Sequence, residues 1–166
     1  MFLSEEYDDF IDTDFNDKFY IFIEAQSTRR GKRTVINYTS CRNPNVYSDF
    51  VCDSAEMDWC NDGEKYCYIA INTAMSECCW YDGCPDGKWT TDISGTGFSC
   101  ANKKNNDDDG RGSSTGWLVT EWKIEPGEEF DIIFHIHDTA DHVYDSEVIL
   151  DKFLFLQNAT PGTIVV

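Results

Sequence analysis

DTADHVYDSEVILDKFLF, residues 138–155, is the stretch on which the fold turns. Its second half, Val148 to Phe155, is short, apolar, and β-branched or aromatic, and turn residues flank it. A run of this kind reads as a buried strand, here expected over Ser146 to Gln157, rather than as a helix. Its first half crowds Asp138, Asp141 and Asp145 ahead of that strand, and Asp151 lies inside it. Carboxylates packed beside a buried strand repel one another unless a cation or hydrogen bonds neutralise them. Calcium takes oxygen ligands from such groups. The stretch is therefore expected to be the last strand of a β-sandwich, preceded by a loop suited to calcium.

Working outward, Glu129 to His137 and Trp117 to Ile124 form two further strand-like runs, with Pro126-Gly127 turning one into the other. Nearer the start, Phe19 to Ala25 alternates as a strand. A second β-rich run, Thr34 to Tyr38, follows the basic tip Arg29-Arg30-Gly31-Lys32-Arg33, and the pair is expected to be a hairpin. That tip is a solvated hairpin end in the plain view and a docking point for an anion or an acidic neighbour in the functional one. Lys65 to Asn72 supplies another strand. Phe2-Leu3 has the look of a strand already under way, and Thr160 to Val166 that of a short tail. With aromatics at 14% and no long helical periodicity, the class expected is all-β. The simplest architecture is one domain, residues 1–166, built as a jelly-roll-like β-sandwich.

All eight cysteines, Cys41, Cys52, Cys60, Cys67, Cys78, Cys79, Cys84 and Cys100, fall in one turn-rich region, residues 41–100. No C-x-x-C pair of the kind zinc favours occurs there, so a disulfide-stapled insertion within the sandwich is expected, in an oxidising, extracellular setting. Eight cysteines allow about 105 pairings, and spacing does not choose among them. Adjacent Cys78 and Cys79 are expected to take different partners. A formal charge of −18 argues against nucleic acid and against anionic membranes, both of which call for a basic footprint. No apolar run is long enough to span a bilayer as a helix. A disulfide-rich chain opening directly on SEEYDD implies that a leader was removed, that Met1 was added, or that the chain is a fragment.

Three ordered pieces carry a resemblance: SEEYDDFIDTDFNDKFYIFI (residues 4–23), GSSTGWLVT (112–120) and PGEEFDIIFHIHDTADHVYDSEVILDKFLF (126–155). Together they resemble the bacterial choice-of-anchor L family, extracellular domains of secreted or surface-anchored proteins. The family's S-x-E-Y, F-N-D, G-S-T-G-W-L and D-x-x-D-x-x-Y-D-S motifs have counterparts here. The cysteine-rich middle does not follow the pattern. The resemblance implies an extracellular β-domain and leaves the biochemical activity open. It also adds Glu6 and Asp17, from the first two acidic motifs, to Asp138, Asp141 and Asp145 as calcium ligands. Asp151 either completes that site or accepts local hydrogen bonds. A cation so placed would tie the two ends of the domain together. The plain alternative is that these aspartates cap turns and face water.

Asn105, Asp107, Asp109 and Gly110 match the first half of an EF-hand loop, but Gly116 stands where the bidentate glutamate belongs, so they make a weaker calcium candidate. His135 and His137 share one face of a strand and His142 follows, which raises a His-based metalloenzyme, with a catalytic zinc or cupin-like metal centre, as a competing hypothesis. Trp59, Trp80, Tyr81 and Trp89 could stack on sugar rings or fill a small core beneath the bridges; Trp80, Tyr81 and Trp89 are the candidate ligand-binding set. Asn37 and Asn158 begin glycosylation sequons. Nucleophile elbows, P-loops and dinucleotide fingerprints are absent from the sequence, and Glu128-Glu129 reads as an exposed turn. The expectation is a non-catalytic, calcium-supported extracellular domain for adhesion to a cell-surface or matrix component such as a glycan. Self-assembly into fibres by strand addition is the structural alternative.

Overall fold

The computed structural model describes residues 1–4, 16–40, 49–51, 63, 65–70, 77–78, 113–140 and 145–165. Among them the chain is all-β, with a single short 3-10 turn. One sheet orders β11 (Ser146–Val148), β1 (Phe2–Ser4), β8 (Ser113–Ser114) and β7 (Glu77–Cys78). A second orders β10 (Phe130–His137), β2 (Lys18–Ala25), β6 (Lys65–Ala70) and β4 (Tyr38–Ser40). Within it β3 (Thr34–Val35) lies beside β2 and β5 (Asp49–Val51) beside β6. A third pair joins β12 (Gly162–Val165) to β9 (Leu118–Glu121). Every pairing is antiparallel.

The layers meet through the alternate residues of β2. Phe19, Ile23 and Ala25 are buried, while Lys18, Tyr20, Phe22 and Glu24 point the other way and are part-exposed, as a two-residue period requires. Phe19 and Ile69 of the second sheet pack on Phe2 of the first, with Leu118 and Val148 against them. Ile23, Ala25 and Ile36 form a second cluster closed by Trp122, Ile124 and Phe130. Trp122 enters with its polar edge satisfied: its indole Nε1–H donates to Thr28 Oγ1 at 2.8 Å.

β1 is a central strand, as its apolar Phe2-Leu3 suggests. It pairs with β11 on one side and β8 on the other, and Leu3 is 1% exposed. The ladder runs one residue further, since Met1 and Ile149 exchange hydrogen bonds at 2.9 and 3.0 Å.

Two tight turns follow from their residues. Pro126-Gly127 occupies the centre of a turn closed by Glu128 N–H donating to Glu125 O at 3.2 Å, and Gly127 takes φ 85°. Proline at the second and glycine at the third position is what a type II turn needs. The β2–β3 hairpin forms as expected, but its tip is tighter than a simple loop. Arg29, Arg30 and Gly31 adopt left-handed backbone in succession (φ 44°, 56° and 79°). Gly31 suits that backbone, which L side chains rarely adopt, and a Cβ there would also push aside the Gln26 amide 2.8 Å away.

Two expectations require correction. Ser146 to Gln157 is not one strand: β11 stops at Val148, and Leu150, Phe153, Leu154, Phe155 and Leu156 are all more than half exposed. The run Phe153 to Leu156 is apolar at every position, so it lacks the alternation that buries one face against a sheet and leaves the other wet. The tail, for its part, is not spare chain. Gly162–Val165 pairs with β9 of its own molecule, where Thr163 Oγ1 meets Thr120 Oγ1 at 2.8 Å.

Candidate functional site

The outward face of the second sheet is set by the register of β2 on β10. Lys18 stands opposite His137, Tyr20 opposite His135, Phe22 opposite Ile133 and Glu24 opposite Asp131. These four pairs share one face, so a band of rings is bounded by charged residues at each end. Tyr20 lies 5.6 Å from Phe22 and 5.3 Å from Tyr68, ring centre to ring centre. His135 stacks on Tyr20 at 6.2 Å and on His137 at 5.8 Å. Across the sheet from the histidines, the Arg33 guanidinium sits 5.7 Å above the centre of the Phe22 ring, and its Nε donates to Glu24 Oε1 at 2.6 Å. Tyr20, Phe22, Arg33, His135 and His137 line a solvent-open groove of about 350 Å³. Burial pushes the phenol pKa values of Tyr20 and Tyr68 up, and each is raised further or eased by a neighbour, Tyr68 for the first and Arg29 for the second. Both stay neutral hydroxyls, able to donate and accept hydrogen bonds.

His135 and His137 are therefore brought together as the H-x-H spacing foresees, on the outward face, with aromatic neighbours. His142, their expected third partner, lies outside the described residues. Sequence patterning singled out the histidines, but not Tyr20, Phe22 or Arg33 as their companions. The alternation in KFYIFIEA places Tyr20 and Phe22 on one face; only the cross-strand register puts that face beside the histidines.

The expected calcium loop is the second locality. Asp17, 1% exposed, is carried by the start of β2 to the ends of the 138–145 loop. Its Oδ1 accepts the Thr139 backbone N–H at 2.9 Å and its Oδ2 accepts the Ser146 hydroxyl at 2.7 Å. Next to it, Lys18 Nζ donates to Asn16 O at 2.9 Å and, at 3.4 Å, to Thr139 Oγ1. Burial lowers the Lys18 pKa, and the Asp17 charge opposes the shift. Asp17 thus joins the segment before β2 to the β10–β11 connection, the link between the two ends of the domain that a cation was expected to make. Asp138 and Asp145 lie exposed at the loop's ends, and Asp151 is exposed beyond β11. Glu6 and Asp141 lie outside the described residues. Among the described residues, no three His, Cys, Asp or Glu side chains gather closely enough to hold a metal.

Asn37, a sequon residue, has a structural task instead. β2 pairs with β3 at Phe22 and Ile23 and with β6 at Lys18 and Phe19. In the gap between them, Asn37 Oδ1 accepts Ile21 N–H at 2.6 Å and Nδ2 donates to Phe19 O at 2.7 Å. Its amide is 1% exposed and bonded at both atoms, so the folded chain has no room for a glycan there. Asn158 is exposed. Cys67, buried in β6, is disulfide-bonded; no other cysteine side chain is among those described, although Cys78 is placed in β7. Asn105, Asp107, Asp109, Trp59, Trp80, Tyr81 and Trp89 lie outside the described residues.

No family model, curated protein or solved structure matches the chain.

Proposed function

We propose that this chain is a non-catalytic extracellular binding domain of jelly-roll type, working in adhesion or surface assembly by laying a saccharide across the open face of its second sheet. The observation that carries this is the ring-lined groove of Tyr20, Phe22 and the His135–His137 stack. Rings that are already packed lose little freedom when a ligand covers them, and their apolar faces with polar edges suit a sugar, which is itself apolar on one face and hydroxylated at its rim. The choice-of-anchor L resemblance and the cysteine usage support the extracellular setting. A disulfide-stapled 41–100 region is part of the proposal, and so is calcium, held by the 138–145 loop with Asp17 and Glu6. Only the position of Asp17, beside both ends of that loop, supports the calcium assignment; its two oxygens already accept hydrogen bonds.

The test is binding of the full chain to a panel of immobilised glycans, repeated with His135→Ser and Tyr20→Ala and with folding checked by circular dichroism. Loss of binding in both variants with the fold intact is the expected result. Retention in both, with loss in Trp80→Ala or Trp89→Ala, would move the site into the cysteine-rich region.

A second reading, assembly into filaments by strand addition, has its own supporting observation. β10 ends its sheet, so among the described residues its eight-residue outer edge pairs with no strand, and Phe134 and Ile136 beside that edge are nearly half exposed. Electron microscopy of natively purified chain separates the two: fibres that Ile136→Lys abolishes would favour assembly, and monomers would favour the binding domain.

A further inference from the structure

We infer that the sheet-face groove takes an acidic saccharide, with a uronate carboxylate or a sulfate ester held by Arg33 and the two imidazoles while the sugar ring lies on Tyr20 and Phe22. This rests on the saccharide-binding function proposed above and adds the ligand's charge class.

Arg33 is the first support. Its exposed ion pair with Glu24 adds little to stability. What the pair does is orient the guanidinium. Glu24 is engaged at Nε and the Phe22 ring lies beneath, so the side chain is held on two sides. A guanidinium has five N–H donors, and the four on its terminal nitrogens form the planar fork that matches a carboxylate or sulfate edge. A fork fixed before the ligand arrives loses less freedom on binding it.

His135 and His137 are the second support. They line the same groove and are exposed, and each imidazole offers at least one N–H donor in either tautomer. Donors therefore stand at both sides of the Tyr20–Phe22 floor. The described carboxylates on this face are Glu24, already paired, and Asp131 opposite it at the far end of the strand pair from His137.

Charge balance is the third. The chain carries 31 acidic against 13 basic residues, so an anion meets repulsion over most of the surface. On this face Arg33, Lys18 and the imidazole N–H donors offset Glu24 and Asp131, so an anion is opposed less there than over most of the surface, and a cation so placed orients a charged ligand. A neutral glycan would take only ordinary hydrogen bonds from Arg33, without the charge-assisted, two-point pairing that a carboxylate or sulfate makes.

The experiment measures binding of the full chain to four soluble probes: oligogalacturonate, dextran sulfate, unmodified dextran and polyglutamate. Binding to either or both of the first two, with dextran and polyglutamate much weaker, is the expected result. Preference between the first two identifies the uronate or the sulfate as the group read. Arg33→Gln and His135→Gln should each weaken binding by about tenfold or more, the scale of one lost charge-assisted contact. Lys32→Gln, on the same hairpin but outside the groove, should leave it within about twofold, as suits a solvent-exposed charge. Equal binding of dextran and the acidic sugars, lost in Tyr20→Ala, would overturn the charge assignment and keep the saccharide function. Polyglutamate bound best, or Lys32→Gln as damaging as Arg33→Gln, would show a general anion patch and overturn the assignment. Failure of all four probes, together with a blank glycan panel, would remove both.

Discussion

Asp17 and Glu128 have the same task in opposite surroundings. Each carboxylate gathers a backbone N–H and a serine hydroxyl from a distant part of the chain. Asp17 accepts Thr139 N–H and Ser146 Oγ–H; Glu128 accepts the N–H and hydroxyl of Ser27, and Glu125 N–H as well. Asp17 is buried, whereas Glu128 stands at the surface. Counted as bonds among the described residues, Glu128 is the better connected of the two. Counted as free energy the order reverses, because the Asp17 bonds are part-buried and a shielded donor that loses its acceptor has less water to turn to. Geometry alone therefore does not rank these ties; burial does.

The largest test of that difference is Asp17→Ala. It strands the Thr139 N–H and the Ser146 hydroxyl together, and we expect a loss of about 2–5 kcal/mol in urea unfolding. A loss no greater than that of Glu128→Gln would break the comparison. The same variant examines calcium. If a cation shares Asp17, chelation lowers the melting temperature of the native chain and leaves Asp17→Ala unchanged. An equal response of both to chelator would place any calcium elsewhere.

Asn37→Ala comes next, as an uncharged counterpart. It leaves Ile21 N–H and Phe19 O unpaired inside the second sheet, at about 2–4 kcal/mol, and hydrogen exchange should quicken first at Ile21. A cost near that of Asp17→Ala would mean that burial, rather than charge, sets the scale.

These two positions also show what the sequence reveals and what it withholds. The strand of Asn37's neighbours was legible: Phe19 to Ala25 alternates, and the observed strand is Lys18–Ala25. That an asparagine would plug a gap between two strands sharing one edge of β2 was not, since the gap exists only once β3 and β6 take their registers. Asp17 was singled out as a calcium ligand, from a resemblance that sets acidic motifs near both termini; the folded chain shows it accepting hydrogen bonds from Thr139 and Ser146 across that same junction. Sequence patterning names a carboxylate and its region; whether its partners are N–H groups or a cation depends on which groups the fold delivers. The groove was half legible, since H-x-H places two imidazoles on one face while Tyr20, Phe22 and Arg33 arrive through pairing over long separations. Val148 to Phe155 misled because hydrophobicity signals a wish for burial without saying whether a partner surface is at hand. Phe2-Leu3 finds strands on both sides; Phe153 to Leu156 finds none among the described residues.

Ser146→Ala isolates one half of the Asp17 junction. It removes the donor and leaves the acceptor with its second partner, so about 1 kcal/mol should be lost, additive with nothing that touches Asp17. Asp17→Ala and Ser146→Ala combined should therefore cost less than their sum. Full additivity in that double-mutant cycle would mean that the two side chains do not act on each other in solution.

Glu128 gives the smallest effect and the one with a direction in pH. The Ser27 hydroxyl, then the Glu125 and Ser27 N–H groups, hold its pKa below the ordinary carboxylate value of about 4.5. A depressed pKa means that folding favours the ionised form. The resulting stability is complete above that ordinary value and fades as pH falls through the folded one. Glu128→Gln should consequently melt slightly below the native chain near neutrality and level with it in acid well under the carboxylate range. Water competes for every bond the group makes, so the neutral-pH difference should stay smaller than that of any variant above. A gap that widened in acid would reverse the sign and show that Glu128 is held in its protonated form; a gap as large as that of Asp17→Ala would show that the turn excludes water as well as the core does.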